Sequence, residues 1–391
     1  MTKKKVLHII TRLIIGGAQE NTLFTVEGFQ SDDAFEAELL TGPPIGPEGQ
    51  LLDRAEKKRI RYYVFPWLRR NINPLYDLLA FLKLYLFLKK KHYDIVHTHS
   101  SKAGIIGRLA ARAAGVPVVV HTIHGLPFHR YESGLANFIY ITLERLCAAY
   151  TDRIITVADS MTVQAVEKKV ASRDKFITIY SGMEVANFRE NGEGRRSIRE
   201  HFGIADGDIV IGKIARLFRL KGQEYLIRAF AKLPVREKNL RLMLIGDGIL
   251  KDKFEKMCVE AGIRDRVIFT GLVSPDKVGD YISALDIVVH TSLREGLARI
   301  LPQALIAKKP VVTFDIDGAS EIIEDGMTGF LVPPENIEVL TERLKYLLDN
   351  PGIWGKLAEE GYRRAMSRFP VEIMVREIKK LYIELINKKE R

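Results

Sequence analysis

Residues 6–28 have the sequence VLHIITRLIIGGAQENTLFTVEG. The segment begins with an apolar run of the kind that forms a buried strand, and Gly16 and Gly17 follow it. The remainder, residues 18–28, has a helical pattern. A strand, a glycine turn and a helix in this order predict the first unit of a doubly wound α/β domain with a parallel sheet.

Short apolar runs and longer helical patterns alternate along the rest of the chain. In the first half we predict strands at residues 6–10, 36–40, 61–65, 94–98, 116–122, 153–157 and 176–180. Helices between them are predicted, for example, at residues 18–28, 74–91, 103–114 and 137–149. In the second half, strands are predicted at residues 208–215, 240–245, 267–270, 286–290 and 310–314. This alternation indicates βαβ units.

The pattern lapses into small and polar residues at positions 190–194, where we predict a linker. A chain of 391 residues is also too long for one ordinary core. We therefore predict an α/β fold of two Rossmann-like, doubly wound domains that face each other across a cleft. They comprise residues 1–190 and 191–370, and the last helix, residues 371–391, is expected to pack back on the first domain.

The composition indicates a globular protein without a disulfide framework. Hydrophobic residues make up 47% of the chain and charged residues 28%, within the range of globular proteins. Cys147 and Cys258 lie far apart in predicted helices, so neither paired cysteines nor a zinc knuckle is indicated.

The N-terminal lysines and the apolar residues after them superficially resemble a secretory signal. His8 and Arg12 interrupt the apolar run, and Gly16 comes where a Rossmann strand turns into its helix. The apolar stretch 75–88 contains charged residues and is shorter than the roughly 20 residues of a spanning helix. We therefore expect no signal peptide, no transmembrane segment and a cytoplasmic location.

The chain is basic, with a formal net charge of +11 and a pI near 9.4. Such a charge favours an anionic partner: membrane phospholipid, polyprenyl phosphate or nucleic acid. Basic residues cluster at Arg54, Lys57, Lys58, Arg59, Arg61, Arg69, Arg70, Lys83, Lys89, Lys90 and Lys91. They form either solvated helix faces or a surface that contacts an anionic membrane together with Trp67, Leu68, Tyr85 and Phe87. Because no nucleic-acid-binding motif is present, we expect no nucleic-acid partner.

Two predicted loops have features of an anion site. Gly16 and Gly17 let the backbone approach a ligand beside a helix N-terminus, although a plain tight turn explains them as well. Arg216 follows the first strand of the second domain, and Lys221 precedes the next helix. Two cations beside a helix N-terminus can bind the pyrophosphate of a nucleotide, and a pair of ordinary surface residues is the alternative.

A third loop carries groups that can bind hydroxyls. Glu295, Gly296 and Leu297 follow the predicted strand 286–290, and Gln303 lies near the start of the next helix. Carboxylate and amide oxygens can accept hydrogen bonds from sugar or ribose hydroxyls, while a glycine lets the backbone approach the ligand. A helix cap or a solvated polar side chain is the alternative.

Five of the nine histidines lie close together in the sequence, at His97, His99, His121, His124 and His129. Their positions near strand ends bring several of them together, so they bind a metal, form structural hydrogen bonds or contact a ligand. No acidic residue or cysteine accompanies them at a recognisable ligand spacing, and we therefore expect no metal.

Several short motifs follow one another along the chain. They are Gly16-Gly17-Ala18, His97-Thr98-His99-Ser100-Ser101-Lys102-Ala103-Gly104, His121-Thr122-Ile123-His124-Gly125, Ala215-Arg216-Leu217 with Lys221-Gly222, Leu244-Ile245-Gly246-Asp247-Gly248 and Glu295-Gly296-Leu297. In order and spacing they resemble the motifs of glycosyltransferase family 4, which has the two-domain GT-B fold. The resemblance covers the chain from Val6 to about Phe369.

The resemblance implies a role for each candidate catalytic residue. Arg216 and Lys221 would hold the diphosphate of a nucleotide-sugar donor, and Glu295 would hold the hydroxyls of the donor sugar. His124 would approach the sugar that is transferred. Other donor-binding residues would be Gly16, Gly17, Gly246, Leu272, Gly296, Leu297 and Gln303. Gln303 stands where the family usually has a second glutamate that binds the ribose, which leaves the base open between uracil and guanine.

The resemblance also implies the type of reaction. Such enzymes transfer with retention of anomeric configuration, without a bound metal or other cofactor, because cationic groups stabilise the departing diphosphate. The segment 124–129 is similar to members that build bacterial surface polysaccharides on lipid carriers. We expect a UDP-sugar donor, a glycan or lipid-linked acceptor, and peripheral attachment at the inner face of the cell membrane. Asp315-Ile316-Asp317 is a D-x-D triplet. Such a triplet holds a divalent ion in another class of sugar transferases, but its position after a late strand of the second domain favours a loop or capping role here.

Two other functions fit the same motifs. An epimerase of GT-B architecture would isomerise the nucleotide sugar without an acceptor. A non-catalytic module would bind a nucleotide sugar or a membrane, and Gln303 slightly favours it. Incubation with a UDP-sugar alone distinguishes the epimerase, and donor binding without turnover on a broad panel of acceptors distinguishes the binding module.

Overall fold

The computed structural model describes residues 3–45, 49–234 and 240–391. The strands are β1 (Lys4–Ile10), β2 (Phe35–Thr41), β3 (Tyr62–Val64), β4 (Ile95–His99), β5 (Val118–Ile123), β6 (Arg153–Thr156), β7 (Phe176–Thr178), β8 (Ile209–Ile214), β9 (Leu240–Ile245), β10 (Val267–Phe269), β11 (Ile287–His290), β12 (Val311–Phe314) and β13 (Phe330–Val332). The helices are α1 (Gly17–Gly28), α2 (Leu52–Lys57), α3 (Pro74–Lys91), α4 (Ser101–Ala114), α5 (Gly134–Ala148), α6 (Asp159–Glu167), α7 (Gly192–His201), α8 (Gln223–Ala231), α9 (Lys251–Glu260), α10 (Val278–Ala284), α11 (Ile300–Ile306), α12 (Ala319–Ile322), α13 (Ile337–Asp349), α14 (Trp354–Arg368) and α15 (Val371–Glu390).

The chain divides into two compact units, each built around one parallel sheet. Unit 1 comprises Met1–Met183 and Val371–Arg391, and unit 2 comprises Glu184–Pro370. Among the described residues, the sheet of unit 1 has the strand order β3-β2-β1-β4-β5-β6-β7, and the sheet of unit 2 has the order β10-β9-β8-β11-β12-β13. Both are doubly wound, with β1 and β8 as the strands from which the winding reverses. The expected α/β fold with two Rossmann-like units is confirmed.

Alternation of side chains along β1 explains how unit 1 is layered. Successive residues of a strand point to opposite faces of the sheet. Val6 belongs to a core that includes residues of α15, whereas Leu7 and Ile9 pack with residues of α3 and α4. His8 shares the face of Val6, and the hydroxyl of Tyr382 on α15 lies 3.3 Å from its Nε2. The last helix is therefore part of the core of unit 1.

The predicted linker at residues 190–194 is wrong, because α7 begins there. The side chain of Asn191 accepts a hydrogen bond from the backbone N–H of Gly194 at 3.1 Å, which makes it the N-cap of this helix. Asn191 also donates to Asp280 of α10 at 2.9 Å. The small polar residues therefore cap a helix of unit 2, and the division between the units falls earlier, after Met183.

Cys147 and Cys258 are free and buried in helices, as expected. The three-residue strand β13 was not predicted. Within residues 3–45, 49–234 and 240–391, no helix combines the length and the apolar character that crossing a membrane requires.

Candidate functional site

The predicted anion loop of unit 2 lies where the winding of its sheet reverses. The chain leaves β8 for β9 on one side, and β11 pairs with β8 on the other. Ligands of doubly wound sheets bind at the carboxyl ends of the strands at such a switch point. Arg216 and Lys221 follow the end of β8, and Glu295 follows the end of β11.

Gly222 anchors this loop against the loop after β11. Its backbone has a φ of 69°, and a Cβ atom on it would lie 1.8 Å from the carbonyl oxygen of Thr291, so no other residue fits. The hydroxyl of Thr291 donates to the carbonyl of Gly222 at 2.6 Å, and the N–H of Leu293 donates to the carbonyl of Leu220 at 2.9 Å. The loops that carry Lys221 and Glu295 are thereby fixed to each other.

Lys221 and Glu295 form an ion pair. Nζ of Lys221 lies 2.6 Å from Oε1 of Glu295, and Nε2 of His290 lies 3.5 Å from the same oxygen. Burial alone would raise the pKa of Glu295, but Lys221 and His290 outweigh it and hold that pKa well below its usual range. Asp317 accepts the backbone N–H of Glu295 at 2.7 Å, so the second aspartate of the D-x-D triplet positions this loop.

The other candidate donor residues of unit 2 lie in the loops after β8, β9, β10 and β11, except Gln303, which lies in α11. The guanidinium of Arg216 stacks over the ring of Phe218 at 5.1 Å. Gly246 follows β9 with a φ of 128°, and a Cβ there would lie 2.4 Å from the carbonyl oxygen of Ala215. Leu297 is buried, and Gln303 is partly exposed in α11. Leu272 is 73% exposed in the loop after β10.

A buried lysine near this site was missed by the sequence reasoning. Lys213 of β8 is 1% exposed, and its Nζ has no hydrogen-bond partner among the described residues. Burial lowers its pKa to about 7. His290, whose ring nitrogens also lack hydrogen bonds there, has its pKa lowered to about 4 by burial. The signal in the sequence was a lysine within the apolar strand Ile209–Ile214.

Unit 1 has a cavity of about 250 Å³, and two of the candidate residues, His121 and His124, line it. Its lining consists of Ala18, Ser100, Ser101, His121, Thr122, Ile123, His124, Gly125, Pro127 and Glu144. Gly16 and Gly17 stand at the start of α1, where Gly16 is the N-cap. The hydroxyls of Ser100 and Thr11 share a hydrogen bond of 2.7 Å, which ties the loop after β4 to the loop after β1. The switch point of this sheet, between β1 and β4, is therefore next to the cavity.

The histidine cluster includes two residues that were not predicted from the sequence, His8 and Tyr382. His97 and His99 are buried together with His8 of β1, and one ring nitrogen of each lies within 4.8 Å of the others. Tyr382 of α15 bonds to His97. His124 bonds to His99, whereas His121 bonds to Thr98 and the backbone of His129 bonds to Asn137. No local pattern could reveal His8 or Tyr382, because the sheet register and α15 bring them to the cluster.

Two family models match the chain. The model described as Glycosyltransferase Family 4 matches residues 17–187, and the model described as Glycosyl transferases group 1 matches residues 194–365.

Similar proteins cover nearly the whole chain. An Escherichia coli protein named UDP-Gal:alpha-D-GlcNAc-diphosphoundecaprenol alpha-1,3-galactosyltransferase is 28% identical over 393 residues, which is 98% of each chain. The putative glycosyltransferase EpsD of Bacillus subtilis is 30% identical and covers 77% of this chain and 80% of its own. Among solved structures, Anabaena HepE in complex with UDP and glucose has a TM-score of 0.83 at 22% identity and covers 97% of this chain and 100% of its own.

Proposed function

Because the chain belongs to glycosyltransferase family 4, we propose that it transfers a sugar from a UDP-sugar to a hydroxyl of a lipid-linked glycan, with retention of anomeric configuration and without a bound metal. The observation that carries the proposal is the Lys221–Glu295 pair, set by the loops that meet at the switch point of unit 2. This pair unites a cation suited to a diphosphate with a carboxylate suited to sugar hydroxyls.

The chemistry of these residues supports a donor that leaves as a nucleoside diphosphate. Arg216 offers a planar fork of N–H donors and Lys221 a mobile point charge, and both can stabilise negative charge that develops on the leaving diphosphate. Glu295 is ionised, since its pKa is held well below its usual range, so it accepts hydrogen bonds from hydroxyls. The E. coli relative is named for UDP-Gal and the HepE structure holds UDP, which favours uracil as the base.

The cavity of unit 1 is the proposed place for the transferred sugar and the attacking hydroxyl. His124, Ser100, Ser101 and Thr122 line it with groups that can bond to hydroxyls. The name of the E. coli relative includes a sugar on diphosphoundecaprenol as acceptor. A lipid-linked glycan of surface polysaccharide synthesis is therefore the acceptor we propose.

Exposed leucines on α3 support contact with a membrane. Leu75, Leu78, Leu82 and Leu86 are 43–65% exposed, and their spacing of three and four residues places them on one face of the helix. The opposite face, with Leu84 among others, packs into the core. An apolar stripe of this kind, with Lys89, Lys90 and Lys91 at its end, fits an anionic bilayer surface.

Helix α5 has exposed apolar residues of its own. Leu135, Phe138, Ile139 and Leu146 are 45–72% exposed, and α4 contacts both α3 and α5. Of the apolar residues expected at a membrane surface, Leu68 is buried, so that part of the prediction is wrong. Trp67 and Phe87 pack against the core of unit 1 that contains Leu68 but stay partly exposed. Lipid contact is therefore proposed for the exposed faces of α3 and α5.

Incubation of the full chain with UDP-sugars tests the proposal. Nucleotide sugars are first screened for thermal stabilisation, since a ligand of the folded state raises its melting temperature. The stabilising donor is then incubated alone, with a soluble glycan, or with a prenyl-diphosphate-linked sugar. We expect release of UDP and formation of a product with retained configuration only when the lipid-linked sugar is present. An isomerised donor without an acceptor supports the epimerase, and binding without turnover on a broad panel of acceptors supports the non-catalytic module.

A further inference from the structure

A continuous series of hydrogen bonds runs through the core of unit 1 and ends at His124. Oγ1 of Thr122 lies 2.7 Å from Nε2 of His97, whose Nδ1 lies 2.6 Å from the hydroxyl of Tyr382. The same hydroxyl lies 3.3 Å from Nε2 of His8. Each link joins side chains on the face of the sheet that α15 covers.

The series continues through one more histidine to the cavity. Nδ1 of His8 lies 3.0 Å from Nε2 of His99, and Nδ1 of His99 lies 3.1 Å from Nε2 of His124. His8, His97, His99 and Tyr382 are at most 1% exposed, whereas His124 is partly exposed and lines the cavity. We call this series, from Thr122 through His97, Tyr382, His8 and His99 to His124, the histidine relay.

The buried histidines of the relay are neutral. Burial lowers the pKa of His8 to about 3 and holds the pKa values of His97 and His99 well below their usual range. A neutral imidazole has one N–H donor and one acceptor nitrogen. In His8, His97 and His99 both ring nitrogens take part in the relay, so the proton position in one ring fixes the next.

The distances at Tyr382 set the direction of the relay. A hydroxyl donates over shorter distances than an N–H group, and an O–H donor rarely spans more than about 3.0 Å. The hydroxyl of Tyr382 therefore donates to His97 over 2.6 Å and accepts from His8 over 3.3 Å. It follows that Nδ1 of His8 accepts a hydrogen bond from Nε2–H of His99, and Nδ1 of His99 accepts one from Nε2–H of His124.

We propose that Tyr382 is a positioning residue that fixes the tautomer of His124, with the proton on Nε2 and the lone pair on Nδ1, through the intervening histidines. This inference rests on the proposed function, in which His124 faces the transferred sugar. His124 then meets a hydroxyl in the cavity as a hydrogen-bond acceptor.

A metal held by the same histidines is the competing use of the cluster. Three ring nitrogens, one each from His8, His97 and His99, lie within 4.8 Å of one another. In the structure, however, both nitrogens of each ring have hydrogen-bond partners within the relay. The geometry therefore favours ordered protons over a cation.

The test is the tautomer of His124, measured without substrate. Protein labelled with ¹⁵N-histidine is examined by two-bond ¹H–¹⁵N correlation, with the signal assigned by its loss in His124→Asn. We expect a proton on Nε2 in the unchanged protein and a mixture of tautomers in Tyr382→Phe. Tyr93→Phe is the matched control, because it also removes a buried hydroxyl of unit 1, bonded to Glu38 rather than to a histidine. His8→Leu breaks the same relay if Tyr382→Phe does not fold.

Activity and metal content provide the second readout. In Tyr382→Phe, kcat should fall on the order of tenfold while KM for the donor stays nearly unchanged, because a ring nitrogen in the wrong protonation state loses its transition-state hydrogen bond. Three results would overturn the relay. The first is a proton on Nδ1 of His124 in the unchanged protein, and the second is the same His124 tautomer in Tyr382→Phe and Tyr93→Phe. The third is stoichiometric zinc in the unchanged protein that is lost in His97→Ala. If the tautomer changes as expected but no transferase activity exists, the relay stands and the proposed function fails.

Discussion

Nζ of Lys221 lies 2.6 Å from Oε1 of Glu295, although 74 residues separate them in the sequence. The pair joins the loop after β8 to the loop after β11 and keeps Glu295 ionised. A diphosphate at this site would compete with Glu295 for the same ammonium group. Donor binding should therefore loosen the ion pair and turn Glu295 toward sugar hydroxyls.

Removal of either cation should abolish most of the activity. In Lys221→Ala and Arg216→Ala we expect kcat to fall by about 10²–10³-fold, because each group would stabilise charge on the leaving diphosphate. UDP release and circular dichroism measure activity and folding. Lys232→Ala is the control, since Lys232 pairs with Glu338 at an exposed position. Near-normal rates in both site variants would refute the assigned diphosphate site.

Gln303→Glu should retain or raise the affinity for the nucleotide. A carboxylate accepts stronger hydrogen bonds from ribose hydroxyls than an amide, so the gain in UDP affinity should be up to about tenfold. Calorimetric titration with UDP measures the change, and Gln303→Ala, which removes the acceptor, should bind more weakly. If Gln303→Glu fails to bind UDP, this side chain does not lie at the ribose.

Lys213 should make the free energy of unfolding depend on pH between about 7 and 10.5. Burial lowers its pKa from 10.5 to about 7, so between these values the unfolded chain binds a proton that the folded protein lacks. The contribution of Lys213 therefore makes stability rise with pH across this window and is least favourable below pH 7.

Lys213→Met removes this titration. We expect its melting temperature at pH 7 to increase by about 5–10 °C, because the buried ammonium is gone, and the difference to shrink toward pH 10. Calorimetry from pH 6 to 10 measures it, with Lys232→Met as the exposed control. An equal difference at every pH would show that Lys213 keeps an ordinary pKa.

The leucines of α3 should contribute to membrane binding. In Leu78→Ser combined with Leu82→Ser we expect vesicle binding to weaken by about 10–100-fold, because each leucine buries apolar area in the bilayer. Sedimentation with phosphatidylglycerol vesicles measures binding, and high salt should reduce it. Val163→Ser with Val259→Ser is the control, since both valines are exposed on other helices. Equal binding of both double variants would exclude this helix face.

The sequence predicted the two doubly wound units and the loops that carry the candidate site. Both predictions rest on local patterns: short apolar runs for the strands, longer helical patterns between them, and glycines at strand ends. Gly222 and Gly246 illustrate the limit of such patterns. A glycine marks a turn, but the carbonyl oxygens that exclude a side chain, those of Thr291 and Ala215, belong to residues that follow other strands.

Only the tertiary structure revealed the groups that are brought together from distant parts of the chain. Tyr382 meets His97 across 285 residues, and the burial of Lys213 depends on the packing around β8. Packing within unit 1 covers Leu68 and exposes the leucines of α3, which have the same apolar character in the sequence. Residue type and spacing determine which face of a strand or helix is apolar. The packing of the elements against one another decides which partner covers that face and which polar groups are buried away from water together with it.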